Sequence, residues 1–187
     1  MNVYDFDQTI YYPDSSYDFV MYCLRHYPRA VLHALPGTAL TGLQALRKKA
    51  ETKELKEQVF SFLPYLDDVE QIVAEFWATH REKLQGWYLE QMREDDLVIS
   101  ASPRFLLAPI CRELGVSLIA TEMEPYTGKI RGANCHDEEK ARRFREEYPD
   151  AQIEGFYSDS YSDEPMARMA EKAYLVKNGE RIRWPLL

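Results

Sequence analysis

Cysteine is scarce in this chain of 187 residues: Cys23, Cys111 and Cys135 are odd in number and widely separated. That excludes a disulfide framework or a cysteine-rich zinc site and leaves reduced thiols of the kind expected in the cytoplasm. Histidine is equally thin. His26, His33, His80 and His136 show no metal-ligand spacing, so surface or packing roles are expected. Long hydrophobic runs are missing: the longest uncharged stretch, Ala30 to Leu46, contains Pro36, Gly37 and Gly42 and falls short of the ~18 residues of a membrane span. Asp5 and Asp7 interrupt any apolar leader at the start. Eight glycines and ten prolines form no low-complexity linker, and no fixed-period repeat exists. Positive charge is in deficit, with a net charge of -8 and a pI near 5.1, which argues against a general nucleic-acid binder. The expectation is a soluble cytoplasmic protein.

What is present is ordinary globular composition, 45% hydrophobic and 29% charged, in a length that suits one domain with an inserted subdomain. Val3-Tyr4-Asp5-Phe6-Asp7-Gln8-Thr9 reads as a short strand ending in two aspartates. Residues i and i+2 of a strand share a face, so both carboxylates would point the same way. Such a pair repels unless a cation or a shared proton relieves it, which suits a hard divalent ion such as Mg²⁺. Taken alone, the same residues also fit a turn with two solvated aspartates.

After a loop over Ile10 to Ser16, with Ser15 or Ser16 as helix N-cap, the pattern is helical from Tyr17 to about Gln85. Phe19, Val20, Cys23 and Leu24, and later Val69, Ile72, Val73 and Phe76, have helical spacing. The charged run Arg47 to Glu57 reads as a solvated helix face or a connection. Between Ser15 and Lys49 five basic residues (Arg25, Arg29, Arg47, Lys48, Lys49) face one acid, Asp18. That segment either packs within the insert or meets an anionic substrate or membrane surface. Trp77 and Trp87 flank the exit of the insert as packing residues.

The second half alternates strands and helices. Strands are expected at Leu97 to Ser100, Val116 to Thr121, Ile153 to Tyr157 and Ala173 to Val176, a turn at Thr127-Gly128-Lys129, and helices at Arg104 to Leu114, Asp137 to Tyr148 and Glu164 to about Lys172. That alternation implies an α/β fold with a doubly wound, mainly parallel sheet and functional groups at the strands' C-terminal ends. Asp5 and Asp7, Ser100, and Asp159 and Asp163 all fall at such ends, with Lys140 on the helix that precedes the strand at Ile153 to Tyr157. Carboxylates for Mg²⁺, a hydroxyl beside free N–H groups and one lysine suit phosphoryl transfer.

These stretches resemble the four motifs of the haloacid dehalogenase-like (HAD) phosphatases: Asp5-Phe6-Asp7-Gln8-Thr9 the first, Val98-Ile99-Ser100 the second, Lys140 the third, and Asp159-Ser160-Tyr161-Ser162-Asp163 the fourth. The helical insert, with Ser100-Ala101-Ser102-Pro103, Thr127 to Gly132 and Glu138-Glu139-Lys140, is similar to the phosphoserine-phosphatase-like branch. Tyr157-Ser158-Asp159-Ser160 and the basic segment also resemble phosphatidylglycerophosphate phosphatases of type C. The resemblance implies a HAD-like Rossmannoid core over 1–14 and 86–187, with a helical cap over 15–85.

It further implies that Asp5 is the nucleophile forming an aspartyl-phosphate, and that Asp7 is the acid/base whose main-chain carbonyl also meets Mg²⁺. Asp159 would complete the metal ligands. Ser100, the Ala101 N–H and Lys140 would bind the phosphoryl group, with Asp163 and Thr9 in support. Asp14 falls where phosphoserine enzymes place a glutamate that meets the substrate's amino group, or is a plain loop acid. Gln8 replaces a residue that is usually small in the family and bears on substrate choice, and Tyr11 and Tyr12 would line the cap's face of the site. The expected substrate is a small phosphomonoester. The alternatives are a lipid-phosphate phosphatase docking its basic segment on a membrane surface, and a non-catalytic binding protein of the same fold.

Overall fold

The computed structural model describes residues 1–34 and 52–185. Leu40, Leu43, Leu46 and the basic Arg47, Lys48 and Lys49 therefore lie outside the described residues. The chain opens with β1 (Asn2–Tyr4), in which Val3 and Tyr4 are fully buried. A helical insert follows, comprising α1 (Ser15–His26), α2 (Pro28–Ala34), α3 (Lys53–Val59), α4 (Val69–His80) and α5 (Gly86–Gln91). Then come β2 (Leu97–Pro103), α6 (Arg104–Leu114), β3 (Ser117–Thr121), α7 (Glu138–Glu147), β4 (Ile153–Ser158), the one-turn α8 (Glu164–Ala167), β5 (Ala170–Lys177) and β6 (Glu180–Arg183).

The strands form one sheet in the order β3-β2-β1-β4-β5-β6, parallel except for the β5–β6 pair. The α/β doubly wound sheet expected from the alternating pattern is therefore what the chain forms. From β1 the chain adds β2 and β3 on one side and then crosses to β4 on the other. The crevice where the strand order reverses lies beyond the ends of β1 and β4, the place where open α/β sheets bind ligands.

Side-chain alternation divides the core between the two faces of the sheet. Val3, Leu97, Ile99, Ile119 and Phe156 pack with Phe144 of α7, Met166 of α8 and Trp184. Tyr4, Val98, Leu118 and Ala120 face the other way, into a larger cluster shared by α6 and the helical insert. Trp77 of α4 donates its indole N–H to the Leu106 carbonyl of α6 at 2.7 Å and meets Phe6 edge to face. The insert thus shares one hydrophobic core with the sheet, and its two tryptophans pack as expected. Among the described residues no helix is long and apolar enough to cross a membrane.

Three local expectations need correction. The N-cap of α1 is Asp14, whose carboxylate accepts from the Tyr17 N–H at 2.7 Å; Ser15 and Ser16 fall inside the first turn. The helix after Asp163 stops at Ala167 instead of running to Lys172, because Ala170 and Lys172 already pair with Ile153 and Gly155 of β4. Ladder hydrogen bonds there outweigh helix propensity. The hairpin into β6 adds a strand beyond the expected set; Asn178-Gly179, both at positive φ, is the favoured dipeptide of a tight hairpin turn.

The turn at Thr127-Gly128-Lys129 forms as expected. The Gly128 N–H donates to the Glu124 carbonyl, and Met123 bridges Ile130. Its φ is +67°, and a Cβ there would lie 2.5 Å from the Phe60 carbonyl oxygen just after α3. Gly128→Ala should therefore cost about 2 kcal/mol or more, from the left-handed backbone and the clash together. A denaturant-midpoint shift measures it; an unchanged midpoint would mean that this turn does not hold α3.

Candidate active site

Beyond β1 the backbone turns sharply: the Phe6 carbonyl accepts from the N–H groups of Thr9, Ile10 and Tyr11. Asp5 leaves the end of the strand and Asp7 lies in this turn, so the two carboxylates meet through loop geometry instead of strand alternation. Gln8, directly after Asp7, has φ +60°, a left-handed conformation that costs other residues more than glycine. That suits glycine at this position and marks Gln8 as held there by its surroundings.

Asp5, Asp7, Gln8, Asp14, Ser100, Ala101, Lys140, Asp159 and Asp163 all line one cavity of about 80 Å³ at the strand-reversal crevice. Thr9 stands just behind it. Its hydroxyl is 3.4 Å from Asp5 Oδ2 and accepts from the Asp159 N–H at 3.0 Å, tying the first aspartate to the loop after β4. Tyr11 is not brought to the cavity: it is fully buried and donates to Asp18 Oδ2 at 2.7 Å. Tyr12 is half exposed and also away from it.

Lys140 on α7 is the centre of the charge arrangement. Its Nζ is 2.6 Å from Asp5 Oδ1 and 2.8 Å from Asp163 Oδ2, with 3% of its side chain exposed. Burial alone would lower its pKa, but Asp163 and Asp5 outweigh that and push it above the usual lysine value. Asp163 is held further by the Ser158 hydroxyl at 2.7 Å. The Asp5 carboxyl is pushed up to about 7, chiefly by burial, against the opposing pull of Lys140. Burial also raises Asp7, and burial with the Asp7 charge takes Asp14 up to about 8.

Several cavity residues lie outside the set expected from the sequence. The charged run containing Lys53, Lys56 and Glu57 is no solvated face. Lys56 is buried, donates to the Ala101 carbonyl and to Asn134 Oδ1, and points its ammonium at Asp7 and Asp14. Desolvation takes its pKa down to about 8. Lys53 reaches the Gly132 carbonyl and Glu57 accepts from the Ile130 N–H, so α3 docks on the segment after β3 along one side. Ser16, Ser102, His136, Ser160 and Ser162 also line the cavity. A lysine among like neighbours and small serines at the ends of elements carry no periodic signal. The buried thiols behave as expected, burial pushing Cys135 up to about 11 and Cys23 and Cys111 up to about 12.

Five carboxylates and two ammonium groups line this cavity. The negative excess, and the oxygen-only character of Asp5, Asp159 and the Asp7 carbonyl as donors, fit a hard divalent cation. Among the described residues no three His, Cys, Asp or Glu side chains converge on a metal position. A site of two carboxylates, one carbonyl and waters needs no such cluster.

A doubly wound sheet with paired aspartates after β1, a serine on β2, a buried lysine on α7 and acids after β4 defines a hydrolase of the HAD class. The chain belongs to the haloacid dehalogenase-like hydrolase family, whose pattern it matches over residues 3–168. It is 32% identical over 104 residues to Protein CicA of Caulobacter vibrioides, covering 51% of this chain and 46% of that one. It is 30% identical over 140 residues to a histidinol-phosphatase of Neisseria meningitidis, covering 63% of each. The chain thus spans less than two thirds of these relatives.

A Bordetella pertussis protein of unknown function has the same fold at TM-score 0.78 and 23% identity, over 94% of this chain and 88% of that one. A phosphoserine phosphohydrolase-like protein of Francisella tularensis follows at TM-score 0.58 and 14% identity, over 94% and 87%.

Proposed function

We propose that this chain is a Mg²⁺-dependent phosphatase acting on a small phosphomonoester. Asp5 attacks phosphorus and the ester oxygen leaves with a proton from Asp7, giving an aspartyl-phosphate. Asp7 then takes a proton from water, which attacks the phosphorus, frees inorganic phosphate and restores Asp5. Ser100 and the Ala101 N–H bind phosphoryl oxygens, and Lys140 balances the charge on Asp5 and the phosphoryl group. Mg²⁺, held by Asp5, Asp159 and the Asp7 carbonyl, would neutralise phosphoryl charge.

The observation that carries this reading is Lys140 buried between Asp5 and Asp163 in the cavity that also holds Asp7, Ser100 and Asp159. A catalytically idle binding protein has no need for that set. The helical insert acts as the cap. It contributes Ser16 and Lys56 to the cavity, and Asp14, at its entry, would meet a cationic leaving group. The small cavity volume favours a compact leaving group over a lipid.

The test is phosphate release from a panel containing phosphoserine, histidinol phosphate, sugar phosphates and micellar phosphatidylglycerophosphate, with Mg²⁺ and with chelator. Release from a soluble ester that stops with chelator is the expected result. Activity confined to the lipid would overturn the substrate reading, and release unaffected by chelator would overturn the role of the metal.

A further inference from the structure

Both carboxyl oxygens of Asp7 receive a hydrogen bond from the protein. The Ser15 N–H donates to Oδ1 at 2.6 Å, and the Ser102 hydroxyl donates to Oδ2 at 2.5 Å. Ser102 Oγ is also 2.9 Å from Ser16 Oγ. A hydroxyl has one proton to give and an ionised carboxylate only accepts. While Asp7 is ionised, the Ser102 proton is therefore committed to it, and Ser16 is the donor in the second contact. The result is a one-way chain, Ser16 to Ser102 to Asp7, whose serines are 6% and 5% exposed. The Ser102 main-chain N–H meanwhile donates to Ser100 Oγ at 3.0 Å.

We propose that Ser102, oriented by Ser16, is a positioning residue for Asp7: it fixes the plane of the carboxyl so that its free lone pairs, and the proton one of them carries, face the leaving oxygen. The proposal rests on Asp7 serving as the acid of the reaction. The terminal torsion of an aspartate is broad when unrestrained, and one donor on each oxygen removes that freedom. As Asp7 gives its proton to the ester oxygen it becomes a carboxylate, and the bond from Ser102 becomes charge-assisted and stronger. The hydroxyl thus acts mainly where a proton must move, and most where the leaving group is poor. Its contribution depends on the helical insert, because Ser15 and Ser16 belong to the first turn of α1.

The experiment compares kcat/KM for an alkyl phosphomonoester and for p-nitrophenyl phosphate, whose phenol departs without a proton. This parameter counts only steps through departure of the leaving group. Ser102→Ala removes the hydroxyl and keeps the main-chain N–H to Ser100. The aryl-to-alkyl ratio should rise about tenfold to a hundredfold, the scale of one hydrogen bond to a charged group. Ser16→Ala should raise it less and Asp7→Asn more, and Ser16→Ala also serves if the Ser102 variant fails to fold. Equal loss on both esters in the serine variants, or no loss on either, overturns the proposal. An unchanged ratio in Asp7→Asn overturns the acid role of Asp7 and the positioning role with it. A raised ratio in Asp7→Asn with unchanged ratios in the serine variants removes only the positioning role.

Discussion

Replacing Asp5 by asparagine should abolish phosphate release and leave a folded protein. The proposed reaction passes through a bond between Asp5 and phosphorus, so the variant loses turnover by a factor on the order of 10⁶, the scale for removing a covalent nucleophile. Stability moves the other way in metal-free protein. The Asp5 carboxyl is pushed up to about 7 by burial, well above its unfolded value. Between the unfolded pKa and about pH 7 the folded state therefore binds the proton more tightly than the unfolded state, and stability falls as pH rises through that window.

The asparagine side chain carries no such charge. The variant's unfolding free energy in chelator should decline less from pH 5 to pH 8 than the parent's, as read by urea titration at both values. Retained turnover would sink the nucleophile assignment. Equal decline in the two proteins would mean that the Asp5 charge is relieved by something other than a metal ion. Destabilising groups concentrated at a catalytic site are a general feature of enzymes.

Lys140→Met produces the largest loss of stability. The ammonium bridges Asp5 and Asp163 at 2.6 and 2.8 Å with almost no solvent contact, and methionine leaves the two carboxylates buried with their shared cation gone. Breaking a buried pair in this way costs about 3–5 kcal/mol, far more than a surface pair. Without Lys140, the Asp5 carboxyl loses the charge that opposes its burial, and its pKa rises further in the folded state. The defect is therefore smallest at acid pH, where Asp5 is protonated, and grows as pH rises. Phosphate release should be lost at every pH, because the proposed phosphoryl site has lost its lysine. A variant with parental stability at pH 8 would show that Asp5 and Asp163 do not depend on this lysine.

The surface pairs behave differently. Glu139 is held down to about 2 by hydrogen bonds from Arg142 and Arg143, but none of the three is buried as Lys140 is, their side chains being 16%, 54% and 15% exposed, so solvent screens them more. The same sequence distance that separates a strong pair from a weak one in this helix, Lys140 against Glu139, is a single residue. Burial decides which of them matters, and burial is a property of the fold.

That contrast runs through the whole chain. The aspartates after β1, Ser100, Lys140 and the acids after β4 are legible because each stands at a position that strand and helix patterns fix locally. The β6 hairpin has a local signal too, in Asn178-Gly179, but the polar strand that follows lacks the apolar alternation that would mark it. Lys56 and Ser102 are not legible. Lys56 lies in a run of charges whose composition fits a solvated helix equally well; only docking of α3 on the segment after β3 carries its ammonium into the cavity. Ser102 is one small residue in a strand, and the carboxylate it holds lies 95 positions earlier.

The sequence by itself determined the alternation of strands and helices and the candidate site residues at strand ends, because those follow from side-chain period and from short motifs there. The tertiary structure alone decided which residues of the helical insert reach the cavity, which charges are buried and which serine bonds Asp7. Those contacts join segments far apart in the chain, and no local pattern encodes where two such segments meet.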